Sequence, residues 1–354
     1  MRRTGPAPVA LFLAALLLTA AVTSGPPDGL AVRGAPKGDR SPVGGVAAGG
    51  VEPWNARRPA DYAAMRAAGL TWLRTDLDWR FLEPRRGEWA WPVYDPVAGD
   101  AKAAGLRTLG ILHTVPAWAN DGAGDHAPPG DPGLLTEYCF RAAEHYLPLG
   151  VTAYEIGNEV NLPAPGRPRP DGAAYARQVL LPCAAGVRRA VARTGIAATV
   201  ILGSLVPTTG RAAPTAFLSD VYAAGGRGRF DAVALHPYTG ADPPRTGDNL
   251  TSEPATVHRV MTAHGDGAMR IWVTEFGYPT AGGNAVSEAR QGDYVKPAMD
   301  TWFAHPFAGP LFWYSARDSG TGQVEREEHF GLLRSDGTRK PAYFAVARWF
   351  ATRS

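Results

Sequence analysis

Residues 43–55 read Val-Gly-Gly-Val-Ala-Ala-Gly-Gly-Val-Glu-Pro-Trp-Asn, and two folds compete for them. An apolar run that ends in glycines could be the first strand and phosphate turn of a doubly wound sheet. That turn needs a GxGxxG spacing opening directly into a helix, whose N-terminus meets the phosphate. Here VGGVAAGG lacks the spacing and runs into VEPWN, which starts no helix. The segment therefore reads as a first strand, Val43–Ala47, followed by a loop.

Working outward, apolar strand-like runs alternate with amphipathic stretches. The further strands are Thr71–Leu77, Arg107–His113, Thr152–Gly157, Thr199–Leu205, Asp231–Leu235, Ile271–Thr274 and Pro310–Tyr314. Helical segments include Pro59–Ala68, Pro132–Leu147, Gly172–Arg193, Pro214–Ala224, Ala255–Ala263, Val286–His305 and Pro341–Phe350. Several open on Pro, whose missing N–H costs nothing in the first turn. Parallel strands need crossover helices, and eight such units close into a single α/β (β/α)8 barrel, the TIM barrel. A catalytic domain over residues 42–354 is expected, with its site at the C-terminal strand ends.

The composition fits a soluble secreted domain. Gly (42) and Pro (32) make up roughly a fifth of the 354 residues, above the usual background of about 12% but aperiodic, which excludes collagen-like and disordered chains. A formal charge of +3 is too small to imply a nucleic-acid partner. Residues 1–25 have the pattern of a signal peptide: Arg2 and Arg3, an apolar run Val9–Leu18, then small residues. The run is short for a membrane span, so no stable insertion is expected after cleavage, which would leave +1. Residues 26–41, PPDGLAVRGAPKGDRS, read as a flexible leader. The only cysteines, Cys139 and Cys183, lie in helix-like stretches. Export favours a disulfide between them; two buried thiols are the alternative.

Several chemistries lack their residues. There is no GxSxG nucleophile elbow, no HExxH, no His-x-His pair at a strand end and no Walker A sequence, so no metal or other cofactor is expected. Carboxylates remain. YEIGNE (154–159) closes the fourth strand and WVTEFGY (272–278) the seventh. In a barrel, Glu159 and Glu275 face each other across the mouth, where two carboxyls can protonate a glycosidic oxygen and attack the anomeric carbon. Carboxyls about 5–5.5 Å apart give retention, and ~6.5–9.5 Å leaves room for an inverting water. The acid of such a pair needs a raised pKa and the nucleophile a lowered one.

YEIGNEV and WVTEFGY resemble the strand-end motifs of the clan A retaining glycoside hydrolases. The likeness runs over roughly residues 43–352: LRTDLDWRFLEPRRGEWAW is similar to the second-strand region of family 39 and related enzymes, LHPY to the sixth-strand motif, LFWYSARD to the eighth and GLLRSDGTRKPAYFAVARWF to the closing helix. Val160 departs from the Pro that many members carry after the acid. The resemblance implies that Glu159 is the acid/base and Glu275 the nucleophile. It also implies that Asn158 binds the sugar 2-OH, that Arg74 pairs with Glu275 and holds it ionised, and that Tyr238 touches Glu275 beside His236. Trp313 is then the floor under the sugar, and His113, Trp118, Trp54 and Asn55 are subsite contacts. The partner would be a poly- or oligosaccharide, met by a secreted monomer.

Blander roles compete for some of these residues. Glu155 shares strand parity with Glu159 but lies deeper, and reads as half of a buried pair with an Arg. Asp76 and Asp78 read as structural or subsite groups, Trp89 and Trp91 as packing for the second helix, and His236 as either a ligand contact or a supporting histidine. A catalytically silent carbohydrate-binding barrel is the rival function.

Overall fold

The computed structural model describes residues 41–48, 52–245, 247–322 and 324–353. The signal-peptide reading and nearly all of the leader fall outside them. Eight parallel strands close a barrel in chain order. They are β1 (Gly44–Ala47), β2 (Trp72–Asp78), β3 (Arg107–His113), β4 (Val151–Ile156), β5 (Thr199–Leu205), β6 (Ala232–Leu235), β7 (Arg270–Phe276) and β8 (Ala308–Tyr314). The barrel closes where Gly44–Ala47 pairs with Leu311–Tyr314. All eight expected strands are present, with ends shifted by up to two residues, as hydrogen bonding rather than hydrophobicity sets the last pair.

The crossovers carry α1 (Arg58–Ala67), α2 (Trp79–Leu82), α3 (Asp95–Ala103), α4 (Pro132–Tyr146), α5 (Gly172–Tyr175), α6 (Leu181–Thr194), α7 (Pro214–Ala223), α8 (Asn249–Ala263), α9 (Glu288–Phe303) and α10 (Pro341–Ala351). Asp131, Asp171, Asp248 and Ser287 cap α4, α5, α8 and α9 by accepting from backbone N–H groups in the first turn. The stretch read as one helix from Gly172 passes through a π turn, Ala176–Leu180, before α6. Pro182 has no N–H to give the carbonyl four residues back, and the wider turn accommodates that loss. Cys139 on α4 and Cys183 on α6 form a disulfide, with Cα atoms 5.2 Å apart.

Two cores follow from strand alternation. Side chains pointing outward meet the helices. Those pointing inward (Ala47, Trp72, Leu109, Ile111, Ala153, Ile201, Ala232, Ala234, Trp272 and Phe312) fill the barrel. Trp72 lies edge-on to Trp272 at 5.4 Å, Trp272 stacks on Phe312 at 6.2 Å, and the Arg107 guanidinium lies 4.3 Å over Trp72. Above this apolar plug the inward positions turn polar.

Trp89 and Trp91 stack on each other at 4.5 Å, and Trp91 stacks on His145 of α4 at 4.2 Å. The pair therefore packs against α4 rather than only its own crossover.

Candidate active site

Arg74, two residues beyond Trp72 on β2, is the first polar inward group, and four hydrogen bonds consume its guanidinium. Nε donates to Glu155 Oε2 at 2.7 Å and Nη2 to Glu155 Oε1 at 3.1 Å. Nη1 donates to Glu275 Oε1 at 2.6 Å, and Nη2 also to Asn158 Oδ1 at 2.7 Å. One buried arginine thus fills both expected roles: it neutralises fully buried Glu155 and it pairs with Glu275.

The chain leaves β4 through Gly157, at φ +89°, where a Cβ would lie 2.7 Å from Val160. Glu159 follows at φ +48°, a left-handed conformation costing a non-glycine residue on the order of 1 kcal/mol. Its surroundings hold it there. Its N–H donates to Ser204 Oγ at 2.9 Å, and its carbonyl accepts from Arg167 Nη2 at 2.9 Å. Asn161 staples the same loop to the end of β5, donating to the carbonyls of Val206 and Ala212 and accepting the Val206 N–H.

Glu275 sits within β7, and Tyr238, from the loop after β6, donates its hydroxyl to Glu275 Oε2 at 2.9 Å. His236, fully buried, places Nδ1 3.0 Å from Glu159 Oε1 and 3.5 Å from Glu275 Oε2, with Nε2 3.0 Å from Thr274 Oγ1. Ligand atoms of Glu159, His236 and Glu275 all lie within 4.8 Å of one another. Such a trio could in principle hold a cation, but Glu275 is already bonded to the Arg74 guanidinium, and a metal would sit against that charge. The arrangement suits two carboxylates acting on something between them.

Burial pushes the Glu159 carboxyl up, but the hydrogen bond and charge of His236, together with the charges of Arg74 and Arg167, outweigh it and leave Glu159 below its ordinary value. The raised acid expected from the sequence is therefore not what this site holds. Nearby, His113 Nε2 lies 3.1 Å from Asp76 Oδ1, too misaligned for a good hydrogen bond. Burial opposes both charges, but their mutual attraction wins, raising His113 and lowering Asp76.

The structure thus brings together Arg74, Asn158, Glu159, His236, Tyr238 and Glu275, with His113 pointing inward from β3 beside Asp76. It does not bring Trp313 there. Phe312 faces the barrel interior, so its neighbour Trp313 points outward, 1% exposed, against Phe276. The mouth aromatic is Tyr314, packed on the inner core and close enough to Glu275 for that charge, after burial, to raise its phenol. The motif FWY offers adjacent aromatics, and only the strand register tells them apart.

Asn55 is also corrected. Its amide donates to Glu52 and Asp61, bracing the turn that leads into α1 instead of facing a sugar. Trp118 donates its indole N–H to the Glu83 carbonyl at 2.9 Å and packs edge-on to Trp79. Trp54 is 61% exposed and lies edge-on to Phe81 at 5.4 Å. Ser204, Thr274, Tyr314 and Arg167 were not singled out from the sequence; Thr274 and Tyr314 sit within WVTEFGY and LFWYSARD but stand out there only through where the fold puts them, and Ser204 and Arg167 lie in no quoted motif.

By sequence, no family model and no curated protein matches the chain. By structure, it is similar to a family 39 glycoside hydrolase from the gut symbiont Bacteroides cellulosilyticus WH2, with a TM-score of 0.69 at 22% identity over 87% of this chain and 63% of that one. A GH5_18 protein from Streptomyces cattleya, solved with GlcNAc, gives 0.67 at 19% identity over 89% and 82%. The exo-beta-1,4-mannosidase Op5Man5 from Opitutaceae bacterium strain TAV5 gives 0.64 at 17% over 88% and 59%. These neighbours are glycoside hydrolases, and this chain has their fold. It spans less than two thirds of the length of the family 39 enzyme and of the mannosidase.

Proposed function

We propose that this chain is a secreted retaining glycoside hydrolase that cleaves O-glycosidic bonds of a poly- or oligosaccharide by double displacement. One observation carries the reading: Glu159 and Glu275 present carboxylate oxygens within 4.8 Å of each other. That proximity supports direct attack by one carboxylate, the retaining arrangement.

In the first step Glu159 gives its proton to the leaving oxygen while Glu275 attacks the anomeric carbon, forming a glycosyl ester and releasing the aglycone. In the second, Glu159 takes a proton from water, which attacks the same carbon and frees Glu275. Arg74 and Tyr238 fix both oxygens of Glu275 by donating to them, so the attacking lone pair is aimed before substrate arrives. Asn158 Oδ1 is taken by Arg74, leaving its amide N–H groups for the sugar 2-OH, a contact that strengthens in the transition state. His113 with Asp76 and Tyr314 line the cleft, and the exposed Trp54–Phe81 pair offers a distal stacking platform. Tyr238 and Tyr314 are aromatic walls beside the reacting ring.

A mannosidase acting on beta-1,4 links, and a GH5_18 variant solved with Manb1-4GlcNAc, share the fold, so β-linked hexosides are the substrates to try first. Export is supported by the pattern of residues 1–25 and by the disulfide, which persists in oxidising compartments. Among the described residues no helix is long and apolar enough to cross a membrane. We take the protein to work as a monomer, without metal or other cofactor.

A 2-deoxy-2-fluoro glycoside with a good leaving group tests the reading. Trapping of an ester at Glu275, with retained anomeric configuration in the first product by proton NMR, is the expected result. Oligosaccharide binding without labelling or turnover would instead favour the silent binding barrel.

A further inference from the structure

We propose that Ser204, on β5, is a positioning residue that couples the 2-hydroxyl contact of Asn158 to the acid/base Glu159. The inference rests on the glycosidase reading of the same cleft. Ser204 is fully buried and touches three successive residues of the loop after β4. Its Oγ accepts the Glu159 N–H at 2.9 Å and donates to Asn158 Oδ1 at 3.2 Å. Its carbonyl accepts the Val160 N–H at 3.0 Å. Its own N–H donates to Glu155 Oε1 at 3.1 Å, so the residue is itself anchored to the Arg74–Glu155 pair.

Each contact has a consequence. A serine hydroxyl has one proton and spare lone pairs; here the proton goes to Asn158 and a lone pair receives Glu159. Asn158 Oδ1 then accepts from both Arg74 and Ser204, which fixes which end of the amide faces the arginine and reserves Nδ2 as donor to a sugar. The Glu159 N–H needs a partner because the residue sits at φ +48°, where it forms no strand or helix ladder. Gly203 permits the approach: a Cβ there would lie 2.3 Å from the Ile156 carbonyl oxygen, so β5 runs against the end of β4 closely enough for the hydroxyl to reach. One hydroxyl therefore joins Arg74 in orienting the donor that reads the substrate and holds the backbone that bears the acid/base carboxyl.

The test compares kcat/KM for Ser204→Ala on a glycoside and on its 2-deoxy counterpart, across leaving groups. The loss on the 2-hydroxy substrate is expected to be about 10- to 100-fold, mainly in kcat, and to grow as the leaving group becomes poorer. The 2-deoxy substrate should lose several-fold less. With Asn158→Ala, the double variant should fall short of the product of the two single losses by about tenfold or more. Ser204→Thr keeps the hydroxyl and should stay within about fivefold of the original rate. Equal losses on both substrates, multiplicative losses in the cycle, or a folded Thr variant as slow as Ala would overturn the proposal. If Ala does not fold, Ser204→Cys takes its place in the same comparison.

A crystal structure of Ser204→Ala gives a reading that needs no substrate: the Asn158 amide should turn or the Glu159 backbone shift, and an unchanged site overturns the proposal. A parent protein inactive on every glycoside would instead count against the glycosidase reading.

Discussion

The two carboxylates proposed to do the chemistry are held by different means. Glu275 lies within β7, and its backbone is set by the barrel ladder; Arg74 and Tyr238 then fix its oxygens from two neighbouring directions. Glu159 lies three residues beyond the last residue of β4, in a left-handed conformation, held by Ser204, Arg167 and His236. A nucleophile that must strike one carbon gains from a rigid strand and a cation. A group that must gain and lose a proton gains from a half-exposed loop with a titratable neighbour. The difference teaches that strand and loop placement can suit one residue type to the two roles proposed.

The sharpest way to break this comparison is to exchange the pair one at a time. Glu275→Gln should cost turnover on the order of 10⁴-fold or more on every substrate, with the fold intact by circular dichroism. Glu159→Ala should spare substrates with good leaving groups and regain rate with a small anion such as azide. Equal losses across leaving groups would erase the distinction.

Arg74→Met comes next, because it removes the cation shared by Glu275 and buried Glu155. Stripping one partner from a buried pair costs about 3–5 kcal/mol, so denaturant unfolding should show a large loss alongside reduced kcat. Reducing or replacing the Cys139–Cys183 bridge acts behind β4 only. Its 44-residue loop is worth about 4 kcal/mol in the chain-entropy model, so the melting temperature should fall while kcat/KM holds; parallel loss of activity would mean that the bridge also positions Glu159.

The smallest expected effect is a shift in pH dependence. Against burial, the largest influence, His236 is the chief of the groups that bring Glu159 below its ordinary value, with Arg74 and Arg167 beside it. The protonated acid disappears as pH rises through that value, so this pKa sets the alkaline limb of kcat/KM. His236→Phe removes the chief lowering partner and leaves burial opposed only by Arg74 and Arg167, so the limb should move to higher pH in the residual activity. A limb that stays put, or moves down, would assign it to another group.

Much of this was legible in the chain. Strand alternation, Pro-led helices and the spacing of YEIGNE and WVTEFGY name the barrel and both carboxylates, because hydrophobic period and short motifs are local properties. Arg74 and Tyr238 reached Glu275 as the resemblance implied, and Glu155 found the buried arginine expected of it. Trp313 and Asn55 were misplaced for physical reasons. Two aromatics in a row differ only by strand parity, and an Asn near a turn binds backbone or carboxylates as readily as sugar. Ser204 lies in no motif and Thr274 is a silent letter of WVTEFGY, since a lone hydroxyl acquires meaning only from what stands about 3 Å away.

The sequence by itself determined that eight βα units alternate and that the motifs carrying Glu159 and Glu275 close the fourth and seventh strands, with no GxSxG, HExxH or Walker A sequence beside them. Only the tertiary structure decided that one arginine serves both Glu155 and Glu275, that His236 stands between the carboxyls, and that Tyr314 rather than Trp313 faces the cleft. Closing a barrel converts positions scattered from residue 74 to residue 275 into one set of contacts, and register, a property of paired strands, is not written in any one of them.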